Sequence, residues 1–246
     1  MYHIRATLTT AGRILAQLRH DPRTLGMLFV VPIGLLLLFR WMFTDTLTTF
    51  NYFAPALLGV FPFVIMFLIT SVTTLRERTS GTLERLMTMR IGKLDIVLGY
   101  MIAFGIIAII QAVLSSIVLL YILNLDIAGP HWYLVVIALL DALLGTALGL
   151  FVSAFAKTEF QAVQFMPAFI IPQLLIGGLF VPLSKLPDVL DWIAHALPMT
   201  YAIDALNLVA TTATLPDKAW RDLWVVVGCI IAAVLLGALT LRRRTK

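Results

Sequence analysis

Residues 95–123 read DIVLGYMIAFGIIAIIQAVLSSIVLLYIL, an apolar run whose one charged side chain, Asp95, stands at its very start. A helix crossing a bilayer's hydrocarbon core needs about 20 such residues, and this run exceeds that. Working outward, comparable runs lie at 24–43, 52–75, 131–155, 161–181 and 222–241. The third and fourth runs are separated only by Asn124–Pro130, whose Gly129-Pro130 pair is a turn signal. The sequence therefore predicts an all-α integral membrane protein of six transmembrane helices. It reads as a single transmembrane domain over 1–246, without an inserted soluble domain, internal repeat or low-complexity tract.

Composition agrees. Of the 246 residues, 61% are hydrophobic and 13% charged, against about 25% charged in a soluble domain. Mean hydropathy is +0.98. Too few polar residues are present to cover a water-facing surface. The first run follows a basic stretch, but it is too long for a secretory leader and has no small-residue cleavage site, so it reads as a first span. Cys229 is the single cysteine and cannot form an intrachain disulfide.

Lysine and arginine placement predicts orientation. Of 18 such residues, 14 fall on one side: Arg5, Arg13, Arg19 and Arg23; Arg76, Arg78, Arg85, Arg90 and Lys93; Lys157; and Arg242, Arg243, Arg244 and Lys246. Arg40, Lys185, Lys218 and Arg221 fall on the other. The crowded side is expected to be cytoplasmic and to hold both termini, which requires an even number of spans. The location expected is the plasma membrane, as a multi-pass protein. The pI near 9.6 is then a topology signal, and no nucleic acid is expected as a partner.

Two further segments carry helical patterns. In 1–22, Ile4, Leu8, Ala11, Leu15 and Leu18 recur at helical spacing, with Arg5, Arg13 and His20 away from them. This predicts an amphipathic helix on the inner membrane surface. In 182–198, Gly177-Gly178 and Pro182 break the fifth span, and Leu186, Leu190, Ile193 and Leu197 then share a face opposite Lys185, Asp188, Asp191 and His195. An outer re-entrant segment is expected there, either a gate or a passive plug, because non-helical backbone at membrane depth must be buried or line a cavity.

The densest charge cluster is the 76–93 loop, RERTSGTLERLMTMRIGK. Thr79 or Ser80 is suited to cap a short helix with Leu83 and Leu86 on one face and Glu84 and Arg85 towards solvent. Such a helix offers an apolar knob ringed by charge, suited to a groove on another protein. An ordinary cytoplasmic loop explains the arginines but not the interleaved glutamates and leucines.

Within this loop, Arg76-Glu77-x-x-x-Gly81-Thr82-Leu83-Glu84-x-Leu86 resembles the cytoplasmic signature of the type-2 ABC exporter permeases, a family that includes the daunorubicin exporters. Leu197-Pro198-Met199-Thr200-Tyr201-Ala202-Ile203-Asp204-Ala205-Leu206 resembles the family's second signature, just before the last span. The resemblance covers nearly the whole chain. It departs at Asn207, where drug-exporting relatives often carry arginine, and in the Arg76-to-Gly81 spacing, one residue longer than the commonest. It implies that 76–93 is a coupling helix seated in a separate ATP-hydrolysing subunit, with Glu77, Gly81, Leu83, Glu84 and Leu86 as docking residues. It also implies a homodimer with two ABC ATP-binding subunits, which would supply ATP and Mg.

The sequence itself fits that division of labour. Gly92-Lys93 is followed by Leu94 and lacks the earlier glycine of a phosphate-binding loop. ATP hydrolysis is thus expected of a partner and not of this chain. His3, His20, His131 and His195 are too scattered for a zinc site, and no catalytic residue is assigned. Asp141 is the carboxylate deepest in a predicted span, a functional-site hypothesis by default. With Gln111, Gln161, Gln164 and Gln173 it makes a candidate translocation path, although structural bonding between helices explains these residues as well. The leading expectation is an ATP-driven exporter of a hydrophobic or amphipathic drug or lipid. The alternative is an ion-coupled secondary transporter using Asp141.

Overall fold

The computed structural model describes residues 2–88 and 92–240, and all their side chains except those of Tyr2, Glu84 and Met87. Arg90 and the basic tail at 242–246, both used in the orientation argument, lie outside the described residues. Among the described residues, ten α-helices run in the order α1 Tyr2–Arg19, α2 Pro22–Met42, α3 Leu47–Thr79, α4 Thr82–Thr88, α5 Lys93–Ile117, α6 His131–Ser153, α7 Glu159–Ile176, α8 Asp188–Ala196, α9 Pro198–Thr211 and α10 Asp217–Thr240. A π-helical turn, Val118–Ile122, extends α5. There is no strand among the described residues, and six helices (α2, α3, α5, α6, α7 and α10) are long and apolar enough to cross a membrane.

Every expected span has its helix, with one consequential difference. α3 does not stop near residue 75; it continues without a break to Thr79 over 33 residues, about 50 Å at 1.5 Å per residue. Hydropathy falls at Arg76, but intrahelical hydrogen bonds do not depend on hydropathy. Arg76, Glu77 and Arg78 are thus the last turn of a long helix and not a loop.

The core is built where helices approach most closely. α3 lies against α6 through glycines: a Cβ on Gly145 would sit 2.4 Å from the Phe63 carbonyl oxygen, and one on Gly149 would sit 2.6 Å from that of Phe67. The spacing Gly145-x-x-x-Gly149 is a small-residue helix-contact pattern. Phe50, Phe63, Phe67, Tyr133 and Leu206 fill the larger hydrophobic cluster around this seam. In contrast, 72% of the most apolar part of α3 is buried but only 17% of that of α2 and of α7. Those two helices leave broad apolar faces uncovered.

α1 is a helix, and part of its apolar stripe packs against the bundle. Ala11, Ile14 and Leu18 face inward while Ile4 and Leu8 are exposed. It rests on α5 at Gly99, where a Cβ would meet Thr10 at 2.7 Å. The first turn of α2 is capped by Asp21, which accepts from the Thr24 amide (3.2 Å) and hydroxyl (2.6 Å), and these bonds hold its carboxyl below the usual range.

At the opposite end, the 182–198 segment holds a 3-10 turn, Leu183–Lys185, and α8. A helix the sequence reading did not place then follows: α9 meets α8 at 98° and re-enters the bundle. Met199, Ala202, Ile203, Ala205, Leu206 and Val209 bury it among its neighbours. The α5–α6 connection is clipped to it, with Ala128 and Gly129 amides donating to the Ala210 and Val209 carbonyls at 3.0 and 2.9 Å.

Candidate functional site

The end of α3 fastens four neighbours with three consecutive residues. Arg76 Nε and Nη2 reach the Glu159 carboxylate at the start of α7 (3.0 and 3.1 Å). Arg78 Nη1 donates to the Ser153 carbonyl at the end of α6 (2.7 Å). Glu77 turns inward and receives both Nη1 and Nη2 of Arg13 from α1 at 2.8 Å, together with the Tyr100 hydroxyl from α5. With its side-chain nitrogen turned towards the carboxylate, Gln17 adds a bond at 2.9 Å. A two-pronged guanidinium–carboxylate pair is the strongest and most directional of ion pairs. The bond to Glu77 raises the pKa of Arg13.

On this anchor sits α4. The turn that leads to it needs Gly81, whose φ is +76, a conformation that only glycine adopts without strain. Leu83 is 3% exposed and lies within the second hydrophobic cluster with Ile96, Val97 and Tyr100; Leu86 packs against the same cluster. Arg85 and Thr88 are exposed.

These positions correct the expected knob. Glu77 and Leu83 face their own bundle because a buried charge needs its partners and a buried leucine its cluster. The side chain of Glu84 lies outside the described residues. Of the described side chains of α4, those turned to solvent, Arg85 and Thr88, are polar. Glu77 and Leu83 fix where the helix stands, and Gly81 fixes the angle at which it leaves α3.

Beside this junction lies a cavity of about 460 Å³, in the range of small-molecule sites. Gln17, Asp21, Thr24 and Arg76 form its polar part, and Leu68, Val72 and Val163 its apolar wall.

The five residues expected along a translocation path make no hydrogen bond to one another among the described residues. Gln111 is buried and donates to the Leu28 carbonyl (2.8 Å), joining α5 to α2. Gln161 accepts from the Lys157 amide at the start of α7 (2.8 Å), while Gln164 is exposed. Gln173 donates to the Phe169 carbonyl (2.8 Å) and accepts from the Met199 amide (3.2 Å), capping the re-entrant α9. Asp141 is fully buried, and neither oxygen has a hydrogen-bond partner among the described residues. It presses instead on Gly59, where a Cβ would sit 2.8 Å from Oδ2.

The cap supplied by Gln173 gives a direct expectation. Gln173→Leu leaves the Met199 amide unpaired in a buried turn, at a cost of about 1–3 kcal/mol. Hydrogen exchange at Met199 should accelerate accordingly; unchanged protection would show that the side chain does not hold α9.

The glycine seam was missed on the sequence, although Gly145-x-x-x-Gly149 in an apolar run was a visible signal. Arg13 was read only as a surface charge, and nothing in sequence spacing links it to Glu77.

A family model described as ABC-2 type transporter matches residues 6–209. Among curated proteins, the chain is 25% identical over 198 residues to ABC transporter G family member 20 of Dictyostelium discoideum, covering 80% of this chain and 27% of that protein. It is 22% identical over 178 residues to the probable multidrug ABC transporter permease YbhS of Escherichia coli K12, covering 72% and 47%. It is 26% identical over 146 residues to the linearmycin resistance permease protein LnrN of Bacillus subtilis 168, covering 59% and 38%. The chain thus spans less than half the length of these relatives.

Proposed function

We propose, from the premise that this chain belongs to the ABC-2 type transporter family, that it is the membrane-spanning subunit of an ATP-driven exporter. The observation that carries this reading is the seating of α4 on the end of α3, where one helix terminus is bonded to α1, α5, α6 and α7. A push on α4 reaches every element joined there. ATP and Mg belong to a separate ATP-binding subunit that meets the exposed side of α4, where Arg85 lies; Glu84 is assigned to the contact from the sequence signature. The end carrying α4 faces the cytoplasm, with both termini, in the plasma membrane.

Two copies complete the pathway, paired through the uncovered apolar faces of α2 and α7. Two ATP-binding subunits serve the pair. The cargo is hydrophobic or amphipathic, which suits the polar rim and apolar wall of the 460 Å³ cavity. Names of relatives that mention multidrug transport and linearmycin resistance support this cargo class.

The test is to co-express the chain with an ATP-binding subunit, purify the complex and measure hydrolysis. Glu84→Lys is expected to break the assembly, and Gly81→Pro to leave it assembled poorly and uncoupled. An intact, fully active complex with both variants would overturn the docking assignment.

A second reading is favoured by Asp141, whose buried carboxyl lacks any partner among the described residues: ion-coupled transport. Transport that follows a proton gradient without ATP, and is lost in Asp141→Asn, would establish it over the first.

A further inference from the structure

A second cavity, of about 470 Å³, opens at the end of the bundle that carries α8. Its walls come from parts of the chain that are distant in sequence. Asn51 and Tyr52 belong to the first turns of α3, Asp126 to the α5–α6 connection, Asp204 and Asn207 to α9, and Lys218 to the start of α10. The turn at 182–184 closes it beside α8, and Pro182, Leu183 and Leu208 give it apolar surface.

The charges are arranged unevenly. Lys218 Nζ bonds Asp204 Oδ2 at 2.5 Å, with 46% of the lysine side chain exposed but 22% of the aspartate. Behind Asp204 stands Asp222, whose side chain is fully buried while that of its partner Arg221 is 61% exposed. Asp126 lines the same cavity and makes no ion pair among the described residues. The lining thus holds two carboxylates, Asp126 at the exposed rim and Asp204 deeper, against one ammonium, Lys218. Water screens the outer charges more than the inner ones, so the interior is electronegative.

Three properties define the ligand. The field selects a cation. No group of three His, Cys, Asp or Glu side chains among the described residues is arranged to hold a metal ion, which directs the choice to an organic cation. The apolar wall and the Tyr52 ring suit a carbon body attached to that charge. We propose that this cavity binds the ammonium group of an amphipathic organic cation, which displaces Lys218 from Asp204 and is shared with Asp126.

Lys218 is then an internal competitor: it fills the acidic site when the cargo is absent and swings out when an ammonium arrives. The assignment deepens the exporter reading, and rests on it only in taking the bound cation for cargo. Binding itself requires neither ATP nor the ATP-binding subunit, so the two can fail separately.

The experiment uses the purified chain in lipid nanodiscs, with empty nanodiscs as the blank. The probe is dansylcadaverine, a fluorescent primary amine, and its N-acetylated derivative is the neutral control. The amine is expected to bind and the acetylated probe to bind at least about tenfold more weakly, the loss of one charge-assisted contact. Asp204→Asn and Asp126→Asn should each weaken the amine by a similar factor, and Asp204→Glu should restore it. Lys218→Gln should tighten the amine several-fold and leave the acetylated probe unchanged.

Equal binding of the two probes, or an amine affinity indifferent to Lys218→Gln, overturns the site. Because 46% of the Lys218 side chain is exposed, that variant keeps the test decisive even if Asp204→Asn does not fold. Intact amine binding without ATP-driven transport in the assembled complex would overturn the exporter reading alone.

Discussion

Arg13→Met is expected to destabilise the chain by about 3–5 kcal/mol, because it strips the counter-charge from a buried carboxylate. Glu77 is 6% exposed, and what remains to it is the Tyr100 hydroxyl and the Gln17 amide. Those two donors stabilise a carboxylate but do not neutralise it. Thermal unfolding of the purified chain reads the loss directly. The double variant Arg13→Met with Glu77→Gln should recover most of it, since removing both charges of a buried pair is often close to neutral. In the complex with an ATP-binding subunit, the single variant should also weaken the link between hydrolysis and transport, because α1 is no longer held to the helix that carries α4. If the single variant melts with the parent protein, the ion pair is not what positions this junction.

Gly145→Val is expected to prevent a monodisperse bundle from forming. A Cβ at that position would lie 2.4 Å from the Phe63 oxygen and 3.0 Å from its carbonyl carbon. Both are backbone atoms of the longest helix, so no rotamer change relieves the overlap. The helices would have to separate along the seam that holds Phe63 and Phe67, and overpacking alone costs about 1–3 kcal/mol before lost contacts are counted. Gly228→Ala is the control. Nothing lies within 4 Å of a Cβ there, and a small gain in helix propensity is the expected result. Size-exclusion profiles of the two variants should differ sharply; similar profiles would mean that the α3–α6 seam tolerates expansion.

The six spans were legible because each apolar run exceeds the length a bilayer demands, and that constraint acts on local sequence. The family signatures were legible for the same reason, as continuous stretches of local sequence, although the turn that Gly81 makes, at a φ of +76, was not read from them. Other features depend on partners far away in the chain. Glu77 looks like a loop residue because charge begins at Arg76, yet its environment is set by Arg13, 64 positions earlier. Leu83 and Leu86 gave a correct amphipathic face for α4, but the pattern does not say whether that face meets the chain's own bundle or another protein. α9 escaped because Thr200, Asp204 and Asn207 interrupt its hydropathy and its 14 residues are too few to span a bilayer. The cavity of Asp126, Asp204 and Lys218 was not legible at all, because only the fold brings these residues together.

The unbroken length of α3 has a mechanical consequence. Its last turn is bonded to four helices at the α4 end, and its first turns, at Asn51 and Tyr52, form part of the cavity wall at the other. Pro55 and Pro62 lie inside it and donate no backbone hydrogen bond, so the ladder is interrupted near the cavity end, and the proline-free stretch from Phe63 to Thr79 is the stiffer part. A displacement at Glu77 would travel stiffly as far as the seam at Phe63 and Phe67, while the two prolines leave the cavity end at Tyr52 free to bend.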